Sequence, residues 1–258
     1  MSSLLFSAST TFIAATTLSI SYLLYRKRVK PICIEGIVFD LDGTLIDYEG
    51  ASHEALSLAC KKYGATFTWD LHAKIVGMQP ESWAKIIIDE LNMAEKGVTI
   101  QQYINDYFYY IKQLYSNIKK WPGTMNLLNE FASRGYPMAI ATSSPRHSFD
   151  IKMKYHKEIL NFMDAIVTGD EIVNGKPHPD IFLEACRRIN VNPNKVVIFE
   201  DSPFGVLGAK TAGAYTVALP DPRLLKGTKD KYPKSTWTLN AIGDFNLDEL
   251  KRVDRSYE

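Results

Sequence analysis

The stretch Ile37-Val38-Phe39-Asp40-Leu41-Asp42-Gly43-Thr44-Leu45 constrains this chain more than any other. It opens as an apolar run, as a strand buried on both faces does, and closes on two carboxylates two residues apart. Asp40 falls where that strand would end, and in an open α/β sheet ligands bind beyond the carboxyl ends of the strands. Gly43 permits a sharp turn after Asp42, because it lacks a Cβ. If the chain stays extended as far as Asp42, both carboxylates point the same way. They then concentrate negative charge that a hard cation such as Mg²⁺ relieves. Taken alone, Asp-Leu-Asp-Gly also fits a plain turn or a calcium loop. The polar sites farther along the chain favour the first reading.

From Ile46 to about Trp121 the pattern is helical. "HEALSLACKKYG" is amphipathic and stops at Gly64, and "PESWAKIIIDELN" has Pro80 where a first helical residue is expected. "TIQQYINDYFYYIKQLYSNIKK" reads as one long helix, its tyrosines suited to packing rather than to stacking on bases. These helices form one uninterrupted insert, so residues 47–121 are expected to be a cap domain, with hinges near Leu45–Tyr48 and Lys119–Gly123. The core would comprise residues 31–46 and 122–258.

Alternation returns after Pro122-Gly123. A helix runs to about Arg134 and ends at Gly135, and "YPMAIATSS" is a buried strand ending in Thr142 and Ser143. "DAIVTGDEI" gives a short strand. "NGKPHPDIFLEACRRIN" gives a loop carrying Lys176 and then a helix, with Pro179 and Asp180 at its start. "KVVIFEDSPFGVLGAKTAGAY" is a strand, Glu200-Asp201, a turn and a helix of small residues, and "YTVALP" is a further strand. Strands alternating with helices argue for an α/β fold with a doubly wound, mostly parallel sheet. A chain of 258 residues suits one large domain or a domain with an insert. The net charge of +1, with Lys and Arg scattered, gives no sign of nucleic-acid binding. Cys33, Cys60 and Cys186 lack metal-ligand spacing and read as small apolar residues in a reducing compartment.

Asp40-Leu41-Asp42-Gly43-Thr44 resembles the first motif of the haloacid dehalogenase-like hydrolases, most of which are phosphatases. "ATSSPRHSFDIKMKYHKE", "GKPHPDIFLEACRRI", "FEDSPFGVLGAKTAGA" and the closing "RSYE" resemble, more narrowly, one branch of that family. This branch holds pseudouridine-5′-phosphatase and related sugar-phosphate and FMN phosphatases. The resemblance runs from about Ile34 to the end of the chain and implies a Rossmann-like core under a helical cap. It implies that Asp40 is the nucleophile and that Asp42 is the acid and then the base. Mg²⁺ would be held by Asp40, the Asp42 carbonyl and Asp201, with Glu200 in or near the set. Thr142, Ser143 and Lys176 would bind the phosphoryl group, with Lys176 also steadying the nucleophile. Elsewhere such residues are usually a helix cap, a turn or a solvated lysine. Here each falls at a strand end or a loop after one, in the family's order. None of the five histidines occupies a motif position, and His178 reads as exposed or supporting.

The implied activity is Mg²⁺-dependent hydrolysis of a small phosphomonoester: pseudouridine monophosphate, a nucleotide-like ester or a sugar phosphate. A sugar phosphomutase of the β-phosphoglucomutase type would carry the same motifs, and a tethered non-catalytic binding protein is the third reading. Ester choice is expected from the loop Val76–Trp83, through Gly77, Met78 and Gln79, where relatives tend to carry basic residues. That loop also suits an ordinary helix connection.

Residues 1–30 lie outside the resemblance. Residues 4–25 carry no charge and as a helix would span about 33 Å, enough for a bilayer core. Arg26-Lys27-Arg28 follows, with Tyr22 and Tyr25 as interfacial anchors, so a single-pass anchor would leave the remainder in the cytosol. A cleaved signal peptide lacks its basic start here. A transit peptide would want Arg within the segment, and a disordered extension is also open.

Overall fold

The computed structural model describes residues 33–76, 78–224 and 231–252. The segment 4–25, Gly77 and the closing Arg255-Ser256-Tyr257-Glu258 lie outside the described residues. Among those described, no helix is long and apolar enough to cross a membrane. The chain divides into two compact units, and the one spanning Ile34–Asn246 holds the sheet, the helices and the site.

Six parallel strands form the sheet: β1 (Gly36–Phe39), β2 (Met138–Thr142), β3 (Ala165–Thr168), β4 (Val196–Glu200), β5 (Tyr215–Ala218) and β6 (Trp237–Thr238). Their spatial order is β3-β2-β1-β4-β5-β6. The chain therefore leaves β1 in one direction, returns to the other side of β1, and leaves again. That reversal opens a crevice beside β1, where ligands of such sheets bind. In register, Phe39 pairs with both Ile140 and Phe199. One residue farther, Asp40 donates its N–H to the Phe199 carbonyl at 2.9 Å, which brings Asp40 level with Glu200.

Both sheet faces are covered, which is why the strands read as unbroken apolar runs. On one side Val38, Ala139, Val167 and Ile198 pack against Phe182 and Ala185 of a helix at Asp180–Arg188 and Ala209 of a helix at Pro203–Thr211. On the other, Phe39 and Phe199 stack at 4.9 Å, and Phe131 and Phe245 close over them. The alternating side-chain directions of a strand send neighbours to these two layers.

Between β1 and the Thr124–Ser133 helix that leads into β2 lie four helices of the insert: α1 (Tyr48–Lys62), α2 (Trp69–Ile75), α3 (Pro80–Glu90) and α4 (Ile100–Leu114). Asp47 caps α1 by accepting the Gly50 N–H at 2.9 Å, so α1 starts five residues before His53, where the amphipathic pattern becomes readable. Thr68 caps α2 in the same way through the Leu71 N–H. This helix of seven residues is too short to show a period and is not anticipated from sequence. Helix α4 ends at Leu114 in a 3₁₀ turn, Tyr115–Asn117, short of the run expected to reach Lys120. The reason is competition for backbone groups. Asp47 N–H bonds the Lys119 carbonyl at 2.8 Å, and Trp121 N–H bonds the Leu45 carbonyl at 3.1 Å. The two strands that connect the insert to the sheet thus run side by side. Inside the insert Tyr103, Ile87, Ile111 and Cys60 are fully buried, so several of the tyrosines are core residues.

Candidate active site

The sheet order brings separate stretches of sequence to one place. Asp40 leaves β1, Thr142 ends β2, and Glu200 ends β4 with Asp201 following it. Lys176 reaches in from the loop before the Asp180–Arg188 helix. Its Nζ donates to Asp40 Oδ1 at 2.6 Å, to Glu200 Oε1 at 2.8 Å and to the Ala141 carbonyl at 3.2 Å. All three side chains are nearly sealed from solvent.

Burial pushes the Asp40 carboxyl up to about 7 against the pull of Lys176, with Glu200 and Asp42 adding to the rise. Asp201 is also raised well above the carboxylate range, by burial first and then by Glu200 and Asp40. Burial would lower the Lys176 ammonium, but Asp40 and Glu200 outweigh it and raise it. Ligand atoms of Asp40, Glu200 and Asp201 lie within 4.8 Å of one another. Three carboxylates against one ammonium leave a surplus of negative charge on an all-oxygen donor set. That chemistry fits Mg²⁺, a hard cation held by a few carboxylates and its own waters.

Two glycines make this packing possible. Gly43 has φ +92°, and a Cβ there would lie 2.0 Å from Asp201 Oδ2. A Cβ on Gly205 would overlap the Glu200 carboxylate at 1.7 Å. Glu200 Oε2 instead accepts the Ser202 N–H at 2.6 Å and the Ser202 hydroxyl at 3.0 Å. Thr44 Oγ1 donates to Asp201 Oδ1 at 3.3 Å, and the Tyr232 hydroxyl donates to the Asp201 carbonyl.

Asp42 lies apart from the three-carboxylate group. Its Oδ2 accepts from Lys152 Nζ at 2.5 Å and from Ser144 Oγ at 2.8 Å. Thr142 is buried and accepts the Ser144 N–H at 3.1 Å, while Ser143 lies exposed beside it. His178 is exposed.

A cavity of about 990 Å³ joins these residues to the helical insert. Asp40, Asp42, Thr142, Ser143, Lys176, Glu200 and Asp201 all line it. The insert contributes Tyr48, Met78, Trp83, Tyr107 and Phe108, together with Glu49. Glu49 is held by His72 Nε2 at 3.1 Å. The Tyr48 and Tyr107 hydroxyls meet at 3.1 Å, and burial raises both, Tyr107 to about 12, so they are neutral near pH 7. Of the residues expected to choose the ester, Met78 lines the cavity. Gln79, the residue before α3, is not among its lining residues. Gly77 is not among the described residues.

Sequence reasoning passed over Lys152, Ser144, Gly205 and Glu49. Lys152 had a signal: it falls three residues after Phe149 and one before Met153, on the buried face of a helix at Arg146–Met153.

A family model described as haloacid dehalogenase-like hydrolase matches residues 37–219. The chain is 35% identical to (DL)-glycerol-3-phosphatase 1, mitochondrial, of Arabidopsis thaliana over 198 residues, 75% of this chain and 66% of that protein. It is 34% identical to a Drosophila melanogaster protein assigned as a pseudouridine-5′-phosphatase, over 83% of this chain and 92% of that one. A Thermotoga maritima structure assigned as a β-phosphoglucomutase superposes with TM-score 0.65 at 30% identity, covering 80% of this chain and 94% of its own. The chain belongs to the haloacid dehalogenase-like hydrolases and is a phosphoric monoester hydrolase.

Proposed function

We propose that this chain is a Mg²⁺-dependent phosphatase acting through Asp40 on a phosphomonoester with an uncharged, ring-bearing leaving group, nucleotide-like or a sugar phosphate. One observation carries the reading: the Asp40–Lys176–Glu200–Asp201 cluster opens into a 990 Å³ cavity whose far wall presents the rings of Tyr48, Trp83, Tyr107 and Phe108. That volume is at the upper end for small-molecule sites and exceeds what a triose phosphate fills. Lys74 in the wall is already paired with Glu90 at 2.7 Å, which disfavours an ester carrying a second phosphate. Glu49 is placed to accept a hydroxyl of the leaving group.

Residues 47–121 would act as the cap, and the paired strands at Leu45–Asp47 and Lys119–Trp121 as its hinges. Asp40 attacks phosphorus, the bond from phosphorus to the leaving oxygen breaks, and Asp42 gives that oxygen its proton. Water then attacks the aspartyl-phosphate, losing its proton to Asp42, and inorganic phosphate leaves with Asp40 restored. Lys176, the Thr142 hydroxyl and the Ser143 N–H neutralise and orient the phosphoryl oxygens. Asp40, Asp201, the Asp42 carbonyl and Glu200 would hold Mg²⁺, which supplies further neutralisation of the phosphoryl charge.

Phosphate release by the full chain, with and without Mg²⁺, is the test. Pseudouridine monophosphate, FMN, hexose phosphates and glycerol 3-phosphate form the panel. A ring-bearing ester should exceed glycerol 3-phosphate by about tenfold or more in kcat/KM, a difference of about 1.4 kcal/mol. Preference for glycerol 3-phosphate would overturn the substrate reading, and no release from any ester would overturn the mechanism. The likeness to a structure assigned as a β-phosphoglucomutase supports one second reading, a sugar phosphomutase, which glucose-bisphosphate-dependent isomerisation would reveal.

Residues 4–25 fit a membrane anchor that localises the enzyme without entering the chemistry. A chain starting near Val29 should keep its turnover and lose sedimentation with vesicles. Loss of turnover in a folded truncation would overturn this.

A further inference from the structure

Lys152 is the least expected group near the site. It is a lysine with 1% exposure on the Arg146–Met153 helix, and long ammonium side chains are almost never fully buried without a partner. Its partners are specific. Nζ donates to Asp42 Oδ2 at 2.5 Å and to Ser144 Oγ at 2.8 Å, and it sits 4.6 Å from the centre of the Tyr48 ring. Ser144 Oγ donates to the same Asp42 oxygen at 2.8 Å. The other oxygen, Oδ1, is buried and has no hydrogen-bond partner among the described residues. An unpaired buried carboxylate oxygen is costly, so such an atom calls for an explanation.

We propose that Lys152 is a positioning residue for Asp42: it clamps Oδ2, with Ser144, so that Oδ1 is kept for proton exchange with the leaving oxygen and the attacking water. This rests on the phosphatase reading, in which Asp42 is the acid and then the base. A carboxylate held at one oxygen by two donors loses the rotation that would carry the other oxygen away from the reacting atoms. Catalysis by a positioned group depends on that fixed geometry. The clamp also touches the insert. Tyr48, whose ring lies beside Lys152, is the first residue of α1, and its hydroxyl meets that of Tyr107 in the cavity wall. Asp42 is thereby tied to both walls of the site.

The test compares two esters that differ in their need for an acid. A nitrophenolate departs without a proton, whereas the alkoxide of glycerol 3-phosphate requires one. The full chain, Lys152→Met and Lys152→Arg are measured with Mg²⁺ in single turnovers, with enzyme in excess, by release of nitrophenol or glycerol. KM for each ester comes from steady state, and circular dichroism confirms folding. Lys152→Met should slow glycerol release by about 100-fold or more and nitrophenol release by less than about tenfold, the range spanned by general acid catalysis. KM should stay within about threefold, because uniform binding is untouched. Lys152→Arg should recover part of the lost glycerol rate.

Equal losses on the two esters would mean a merely structural lysine and would overturn the proposal, as would an unchanged glycerol rate. Should Lys152→Met not fold, Ser144→Ala decides. It removes the second donor on Oδ2 and should show a smaller loss with the same dependence on the ester; equal losses would again overturn the proposal. If the unsubstituted chain releases neither product, the phosphatase reading falls and the clamp falls with it. Active wild type with ester-independent losses removes the clamp alone.

Discussion

At the strand ends, one ammonium bonds two buried carboxylates while a third lies close by, every group held by named partners. Across the same cavity, the helical insert offers rings, a methionine and neutral hydroxyls, with the Glu49 carboxylate steadied by His72. The first wall is charged, crowded and intolerant: a single methyl on Gly43 or Gly205 would collide with a carboxylate. The second is richer in apolar side chains, with Glu49 and Lys74 paired to other residues, and includes Phe108 at 42% exposure, Met78 at 43% and the phenol of Tyr107. Charge that must meet a phosphoryl group is fixed on rigid strand ends. Under the proposed function, recognition of the remainder of the ester would rest on packed helices that can change without disturbing it.

The sharpest break of this contrast is Lys176→Met. It leaves Asp40 and Glu200 buried without their ammonium, which should cost about 3–5 kcal/mol in urea unfolding without Mg²⁺. Turnover should fall by about 100-fold or more. A stable, active variant would show that the charged wall is not dependent on its lysine.

Arg223 joins the two walls. Its guanidinium bonds Asp47, where the insert begins, and Asp221 after β5, and it lies 4.8 Å from the Trp69 ring and 5.2 Å from the Trp121 ring. Arg223→Ala should lower stability by about 2 kcal/mol, since the buried Asp221 loses its guanidinium and keeps, among the described residues, only the backbone N–H of residue 223, and the ion pair is partly screened. If the walls are coupled here, KM for every ester should rise together; a change confined to one ester would place Arg223 in substrate recognition instead.

Phe108→Ala probes the apolar wall by itself. With the ring already 42% exposed, stability should hold within about 0.5 kcal/mol. KM for a ring-bearing ester should rise about fivefold, the worth of one aromatic contact, with glycerol 3-phosphate unaffected. Equal changes on both esters would mean that the wall does not select.

The smallest effect is expected from His53, which stacks on Trp69 at 3.8 Å. Burial, then His72 and Arg223, lower it from 6.5 to about 4. The unfolded chain therefore binds this proton more readily, and the contribution to stability is present above pH 6.5 and lost as pH falls towards 4. Because the ring is only half-buried, solvent screening leaves a fraction of that share, and His53→Phe should narrow the fall in Tm between those pH values by on the order of 1–2 °C. An unaltered pH profile would show that the ring is solvated.

The contrast also explains what could be read without coordinates. Asp40, Asp42, Thr142, Lys176 and Glu200-Asp201 stand at the ends of apolar runs or in the loops between them, so their convergence follows from strand order. The parallel sheet was legible for the same reason. The insert was legible as helices but not in its boundaries, because Asp47 and Thr68 cap through single side-chain contacts and Lys119–Trp121 is claimed by pairing with Leu45–Asp47. The two-residue strand β6 is too short to show alternation. Lys152 was overlooked because Lys154 and Lys157 follow it closely in the sequence, and only burial separates it from them. Gln79, expected to take part in ester choice, directly precedes α3 and is not among the residues lining the cavity, whereas its neighbour Met78 is.

Covalent catalysis by Asp40 is tested most directly by quenching a single turnover in acid and locating the phosphoryl group by peptide mass spectrometry. A phosphorylated peptide whose modification maps to Asp40, and which is absent from Asp40→Asn, is the predicted result. Product formed in the first turnover with no phosphorylated protein at any time, or with the phosphoryl group on another residue, would contradict it.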